Sequence, residues 1–221
     1  MPVPLTSTGE HDLRAMAAAV TDRTRLVIVC SPNNPTGPAV SRDAFEAFLD
    51  AVPSDVLVVL DEAYVEFSYG WNGLPLLGSR PNLLVLRTFS KAYGLAGARV
   101  GWGACDPALA SLLRSAQVPF AVAQPSIELA IAALSVDHGA RIAATVARRD
   151  AVVEWLVDKG LEIPAAAGSF VWLPNAEAAK IAGELADRRV LVRPFAGEGI
   201  RITVGDDTDM QMLRDALGEV L

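Results

Sequence analysis

Three short apolar runs in the first half of the chain, each followed at once by a polar loop, constrain the fold most strongly. The runs occupy residues 26–30, 56–60 and 83–86. Each run is continuous rather than alternating and rich in branched side chains, which is typical of strands buried on both faces of a parallel sheet. Because ligands of open α/β sheets bind beyond the carboxyl ends of the strands, the three loops are predicted to share one site.

The second half of the chain has a different pattern, and we predict a second structural unit there. A long helix is predicted over 138–159, between the two units. The remaining predicted elements are helices over 41–51 (begun by Ser41) and after Asp106, strands over 169–173, 189–192 and 200–204, and helices near 175–187 and 207–220. The predicted fold class is a three-layer α/β/α unit with a mostly parallel sheet (1–137), followed by a smaller α+β domain (138–221) connected by that long helix.

Composition and charge exclude several classes of function. The chain is 52% hydrophobic and carries 26 acidic against 19 basic residues, a net charge of −7, which argues against disorder and against nucleic acid or an anionic membrane as a partner. No apolar run approaches the ~20 residues that span a bilayer, and the N-terminus lacks the pattern of a signal peptide. Two cysteines and two histidines indicate neither a disulfide framework nor an ordinary zinc site. We therefore expect a cytoplasmic protein without a metal.

The three polar loops bring different chemistry to the same edge of the predicted sheet. The loop over 31–38 contains Asn34, the second begins with Asp61, and the third carries Lys91. Taken singly, the first is typical of a turn, the second of a helix cap and the lysine of a protein surface. Their coincidence on three consecutive strands favours a functional site instead.

The residue types in these loops suit one particular ligand. A lysine flanked by alanines and Leu95 is expected to be partly desolvated and so to act as a nucleophile towards a carbonyl. The hydroxyls of Ser90 and Thr88 and the guanidinium of Arg99 suit a phosphate dianion. A carboxylate on the neighbouring strand can pair with a protonated ring nitrogen, and an aldehyde with a phosphate and a pyridine ring is pyridoxal phosphate. No nucleotide-binding glycine motif competes with this interpretation.

Four motifs identify a family that the chain resembles. They are Ser31–Gly37 (SPNNPTG), Asp61–Tyr64 (DEAY), Thr88–Arg99 (TFSKAYGLAGAR) and Arg201–Gly205 (RITVG). In this order and spacing they resemble the fold-type I pyridoxal phosphate aminotransferases, and most of all the histidinol-phosphate aminotransferases and their aromatic-amino-acid relatives. The resemblance runs from Pro4 to the C-terminus. It implies the large cofactor domain of that family, in incomplete form, with the small C-terminal domain.

The resemblance also implies roles for individual residues. Lys91 would bind the cofactor as a Schiff base and then move a proton, and Asp61 would pair with the pyridine nitrogen. Arg201 would anchor the α-carboxylate of the substrate, and Arg193 would help to bind a substrate phosphate. The other implied cofactor contacts are Asn34 and Tyr64 at the ring 3-oxygen, Ala63 against the ring face, and Ser90, Arg99 and Thr88 at the phosphate.

The two arginines lead us to expect histidinol phosphate and imidazole acetol phosphate as one substrate pair, with glutamate and 2-oxoglutarate as the other. Such an enzyme would serve histidine biosynthesis. Three alternatives stay open at this point: an aromatic amino acid aminotransferase, a decarboxylase similar to the phosphothreonine decarboxylases, and an inactive fragment. Phe170 and Trp172 are expected to lie in the core rather than to contact substrate.

Members of the family carry a substantial region before the stretch that matches Pro4. By the resemblance, that region supplies backbone N–H groups to the phosphate, two sheet strands, a substrate lid and a tyrosine lent across a homodimer. The chain would then correspond to roughly the last two-thirds of such an enzyme. We expect it to associate, as a homodimer or into aggregates, because uncovered sheet edges favour association. If it acts alone, we expect its activity to be impaired.

Overall fold

The first unit is built on a four-stranded sheet, as seen in a computed structural model that describes residues 1–221. The strands lie side by side in chain order, with β1, β2 and β3 parallel and β4 antiparallel to β3. The mostly parallel sheet is therefore confirmed, and all three apolar runs form strands. The strands are β1 (Leu26–Cys30), β2 (Leu57–Asp61), β3 (Leu83–Thr88) and β4 (Gly101–Cys105).

Two helices, α1 (Leu13–Ala18) and α2 (Arg42–Ala51), contribute to the core on one face of this sheet. Helix α2 begins as predicted, because the Ser41 side chain accepts a hydrogen bond of 3.2 Å from the Ala44 amide. Successive side chains of a strand point to opposite faces of the sheet, so the strand residues that alternate with these core residues face the other side. The buried core includes Val29, Phe45, Phe48, Val58, Leu60, Leu83 and Val85.

Three helices follow β4: α3 (Pro107–Ala116), α4 (Gln124–Leu134) and α5 (Gly139–Asp158). The Asp106 side chain caps α3 through the Ala108 amide at 2.8 Å, as predicted, and the long helix matches its predicted span to within a residue. Neither α1 nor α4 was indicated by the sequence. No single helix is long and apolar enough to cross a membrane; α4 and α5 reach the length and composition only as a pair, with a bend of 85° between them.

The second unit is a three-stranded antiparallel sheet covered by helices. Its strands are β5 (Phe170–Pro174), β6 (Arg193–Phe195) and β7 (Gly199–Thr203) in the order β5-β7-β6, and its helices are α6 (Ala178–Asp187) and α7 (Asp207–Val220). Helix α5 also packs against this unit. The buried core consists of every second residue of β5 and β7 together with residues of the helices. Its members include Val152, Leu156, Val171, Leu173, Leu185, Ile200, Ile202, Leu213 and Leu217.

The prediction of a strand over 189–192 is wrong. Arg189 follows α6 in the left-handed conformation (φ 63°), and its N–H donates to Ala186 O while the N–H of Val190 donates to Leu185 O. This pair of bonds is the Schellman motif that ends many helices. Residues 189 and 190 therefore close the helix, Leu191 is 86% exposed, and the strand begins only at Arg193.

Helix α5 joins the cores of the two units. Its Val146 packs in a small cluster with Tyr64, Phe67, Ala92 and Phe170, which come from both halves of the chain. Further along the helix, other side chains enter the core of the second unit. The division of the chain at residue 138 stays a prediction.

Candidate active site

The carboxyl ends of β2 and β3 open into a cleft of about 430 Å³. Lys91 and Asp61 both line this cleft, which places the predicted amine and the predicted carboxylate in one cavity. Two apolar or backbone surfaces complete its walls, one from Leu86 and one from Val100 and Gly101. The sequence-predicted residues in the lining are Asp61, Ala63, Thr88, Ser90, Lys91 and Arg99.

Asp61 is the last residue of β2, and its side chain is held by the chain that follows it. Its Oδ1 accepts a hydrogen bond of 3.0 Å from the Ala63 amide. Cys30 lies opposite in the register of β1, where burial raises the pKa of the thiol to about 11. The thiol is therefore protonated at neutral pH and donates to Pro32 O at 3.4 Å. Asp61 is therefore the acidic side chain that lines this part of the cleft.

The lysine loop is folded back on itself by hydrogen bonds. The Thr88 hydroxyl accepts from the Ser90 amide at 3.0 Å, and the Leu95 amide donates to Phe89 O at 2.9 Å. The backbone of Arg99 adopts the left-handed conformation, and its Nη1 donates a hydrogen bond of 2.9 Å to Ala96 O in the same loop. These contacts hold the hydroxyls and the guanidinium at one end of the cleft.

The expectation that the lysine is desolvated by its neighbours is wrong. Lys91 is exposed, and of the surrounding small and apolar residues only Ala92 is buried. The reason is that the loop turns the side chain of Lys91 into the open cleft, whereas Ala92 points into the cluster beneath.

A row of stacked groups leads from the lysine to the second unit. The Nζ of Lys91 lies 5.3 Å from the centre of the Tyr64 ring, which meets Phe170 edge-on at 5.0 Å. The Arg201 guanidinium in turn lies 5.5 Å from the Phe170 ring centre. Tyr64 and Phe170 are both buried, so the row is a fixed spacer between the amine and the guanidinium.

Asn34 and Arg201 were assigned to cofactor and substrate respectively, and the structure joins them directly. Arg201 Nη1 donates to Asn34 Oδ1 at 2.8 Å, across the boundary between the two units. The Nε of the same guanidinium is buried and has no hydrogen-bond partner. Arg201 as a whole is only partly buried, and a guanidinium with further N–H donors is suited to bind a carboxylate.

The sheet of the second unit carries aromatic side chains beside Arg201. Trp172, Arg201 and Arg193 are paired across β5, β7 and β6, and directly opposed residues share one face of a sheet. The Trp172 ring meets Phe195 edge-on at 5.4 Å. A Cβ at Gly199 would lie 2.5 Å from the Trp172 ring, so a glycine is required beneath it. Phe170 and Trp172 are buried, as expected, whereas Arg193 is exposed.

Sequence reasoning missed a buried ion pair beneath the cleft. Glu62 is only 2% exposed and accepts hydrogen bonds from the Gly73 amide at 2.5 Å and from Arg87 Nε at 2.9 Å. Burial raises the pKa of Glu62, although Arg87 and the Gly73 amide oppose the shift. Arg87 also lies over the Trp102 ring and lines the cleft. The adjacent Asp61 and Glu62 could have indicated this pair. Because neighbouring residues of a strand face opposite sides, only one of the two carboxylates can face the cleft and the other needs a partner elsewhere.

The groups in the cleft fit pyridoxal phosphate. A free amine, a carboxylate, two hydroxyls and a guanidinium are the groups that an aldehyde, a pyridine nitrogen and a phosphate require, and all line one cavity. The individual roles assigned to these residues stay predictions.

Comparison with known proteins adds three findings. The family model described as aminotransferase class I and II matches residues 1–217. The chain is 49% identical over 211 residues to an aromatic amino acid aminotransferase of Rhodococcus jostii (94% of this chain, 59% of that protein), and 50% identical over 211 residues to one of Streptomyces avermitilis (93% and 59%). Its fold matches a crystal structure of histidinol-phosphate aminotransferase from Sinorhizobium meliloti in complex with pyridoxal-5'-phosphate, with a TM-score of 0.87, 32% identity and coverage of 100% of this chain and 63% of that one.

The chain thus spans about three-fifths of the length of the curated relatives that it matches.

Proposed function

Because the chain belongs to the aminotransferase class I and II family, we propose that it acts as a pyridoxal phosphate-dependent aminotransferase on aromatic amino acids. The observation that carries the proposal is that Lys91 and Asp61 line the same cleft, together with groups suited to a phosphate. When bound, the cofactor supplies an aldehyde for the lysine and an electron-withdrawing ring.

Each residue of the site has a separate role in the proposed reaction. The carboxylate of Asp61 holds a proton on the pyridine nitrogen, because a nearby anion stabilises the charged form. The amine of Lys91 lines the cleft, where it would take and return the substrate proton. Ser90, Thr88 and Arg99 bind the phosphate, and the guanidinium of Arg201, oriented by its hydrogen bond to Asn34, binds the substrate carboxylate.

The aromatic substrate class has two supports. Relatives at about half identity are named aromatic amino acid aminotransferases. Within this chain, Phe195 is partly exposed and lies on the same face of the second sheet as Arg201, so an aromatic side chain would meet this ring near the proposed carboxylate site.

Histidinol phosphate is the second candidate substrate. Arg193 is exposed and stands opposite Arg201 in the strand register, so a second cation is available on the same face for a phosphorylated substrate. The likeness to a histidinol-phosphate aminotransferase structure supports the same candidate. Glutamate and 2-oxoglutarate are proposed as the other substrate pair in either case.

We also propose that the protein works as a homodimer. The segment over 107–134, which contains α3 and α4 and is called here the α3–α4 segment, exposes many large apolar side chains. Apolar surface of this kind marks protein–protein contact sites. The exposed residues include Leu112, Leu113, Val118, Phe120, Leu129, Ile131 and Leu134.

Adding pyridoxal phosphate and then candidate substrates tests the proposal. An absorbance band near ~420 nm, lost in Lys91→Ala, is expected from a lysine adduct of the cofactor. Phenylalanine with 2-oxoglutarate is then expected to be converted more efficiently than histidinol phosphate, and Arg193→Gln should leave the phenylalanine reaction unchanged. Absence of the band would contradict the cofactor assignment. Preference for histidinol phosphate would favour the second candidate, and release of carbon dioxide would indicate a decarboxylase.

A further inference from the structure

The first turns of α5 lie against the lysine loop. Arg141 donates a hydrogen bond through Nη2 to the carbonyl of Ala92, the residue that directly follows Lys91. Ala92 is buried, and no backbone N–H donates to its carbonyl. Since buried carbonyls need a partner, the arginine fixes the orientation of this peptide group.

Arg141 is itself held in place. The Nε2 of His138 lies 2.9 Å from Ala133 O and must carry the ring proton, because a carbonyl can only accept. The Nδ1 of the same ring then accepts from Arg141 Nη2 at 3.1 Å. The ring also packs edge-on against Tyr93 at 5.2 Å. The guanidinium is therefore oriented by α5 itself.

The loop is shaped to receive this side chain. Gly94 has a φ of +73°, and a Cβ there would lie 2.7 Å from Arg141 Nη1. Any side chain at position 94 would meet both backbone strain and the guanidinium. The turn after Lys91 thus fits around the arginine.

The same helix also contacts the loop that carries Tyr64. About two turns further along α5, Arg149 is buried and its Nη1 donates to Phe67 O at 2.9 Å. Between the two arginines, Val146 packs in the cluster that contains both Tyr64 and Ala92. One helix therefore holds the chain on both sides of the cleft.

We propose that Arg141 is a positioning residue, which fixes the peptide after Lys91 and so sets the place of the lysine amine relative to Tyr64 and Asp61. This inference rests on the proposed function, because the position of the Lys91 amine matters for the reaction only if that amine binds the cofactor. Arg141 does not line the cleft, so its effect is exerted through the loop backbone. A displaced amine reacts more slowly, since misplacement by about 1 Å can cost on the order of 100-fold in rate.

The test compares Arg141→Ala with Arg148→Ala, a matched control on the same helix whose arginine pairs with Asp207 at the surface. Pyridoxal phosphate is added to each protein, and the rate of appearance of the ~420 nm band and its pH midpoint are measured. We expect Arg141→Ala to slow the reaction by about 10-fold or more and to move the midpoint, with partial recovery in Arg141→Lys. Arg148→Ala should match the wild type. Equal rates and midpoints in all four proteins would overturn the inference and leave the proposed function standing.

A second measurement needs no cofactor. Amide hydrogen exchange over 89–95 in the cofactor-free protein should be faster in Arg141→Ala than in the wild type, with exchange over β1 unchanged. Unchanged exchange over 89–95 would overturn the inference. A wild-type chain that gives no ~420 nm band contradicts the proposed function alone, and the exchange rates then decide whether Arg141 fixes the loop.

Discussion

Asp61 and Glu62 are adjacent carboxylates with opposite surroundings. Asp61 faces the cleft, whereas Glu62 is buried against Arg87 and the Gly73 amide. Alternation along the end of β2 produces this division. One carboxylate is therefore available to a ligand, and the other supports the loop and the strand beneath it.

At the residue scale, Asp61→Asn should lower kcat/KM for phenylalanine by about 100-fold or more, because an amide cannot stabilise a proton on the pyridine nitrogen. Steady-state kinetics with saturating pyridoxal phosphate measures the effect. Asp55→Asn, at an exposed carboxylate just before β2, is the matched control and should leave kcat/KM unchanged. Equal activity of the two variants would remove Asp61 from the proposed site.

His11 gives the stability of the protein a pH dependence. Its Nε2 lies 3.0 Å from Cys30 O, and burial lowers its pKa below the usual 6.5. The unfolded chain takes up a proton at about pH 6.5 and the folded chain only at lower pH, so the contribution of His11 is full above 6.5 and is lost as the pH falls through its folded-state pKa.

His11→Gln keeps an N–H donor and removes this titration. The free energy of unfolding, measured by urea denaturation, should therefore fall less in His11→Gln than in the wild type between about pH 7.5 and about pH 5. Parallel pH profiles of the two proteins would show that His11 contributes no such dependence.

At the scale of elements, Arg189 occupies the position after α6 that usually belongs to glycine. A non-glycine residue in the left-handed conformation is strained by roughly 1–2 kcal/mol. Arg189→Gly should raise the free energy of unfolding by about 0.5–1 kcal/mol, after the larger chain entropy of glycine is subtracted.

Urea denaturation measures this change. Arg188→Gly is the control, because Arg188 has a negative φ and bonds both Glu219 and Glu184 O. That substitution should destabilise the protein. If both variants are destabilised equally, the left-handed turn is not a source of strain.

Elements defined by continuous apolar runs or by capping residues could be predicted, and those defined by tertiary contact could not. β1–β3 and the starts of α2 and α3 were predicted from local sequence. β4 was missed because Gly101, Trp102 and Gly103 form no apolar run; a Cβ at Gly101 would lie 2.8 Å from Arg87 O, so the glycine serves the close approach of two strands. The candidate site divides in the same way between what local sequence indicates and what it does not. Lys91 and Asp61 lie within local motifs and could be predicted. The contact of Arg141 with Ala92 joins residues 49 positions apart, so no local pattern indicated it.

At the scale of the whole molecule, the exposed α3–α4 segment should make the chain self-associate. Phe120 is 100% exposed and Leu112 is 68% exposed. Sedimentation velocity at increasing protein concentration should show dimers or larger species, which Leu112→Asp with Phe120→Asp should reduce. Leu191→Asp alters another exposed leucine, outside this segment, and is the control that should leave association unchanged. A monodisperse monomer at all concentrations would contradict this prediction.

The chain has only three lysines, at positions 91, 159 and 180, and we propose that Lys91 is the one that binds pyridoxal phosphate. The most direct measurement is to add the cofactor, reduce the adduct with borohydride, and locate the added mass by peptide mass spectrometry. We expect the peptide containing Lys91 to carry the cofactor, and those containing Lys159 and Lys180 to carry it only at the background level seen in Lys91→Ala. Equal labelling of the three lysines, or none at Lys91, would contradict the proposal.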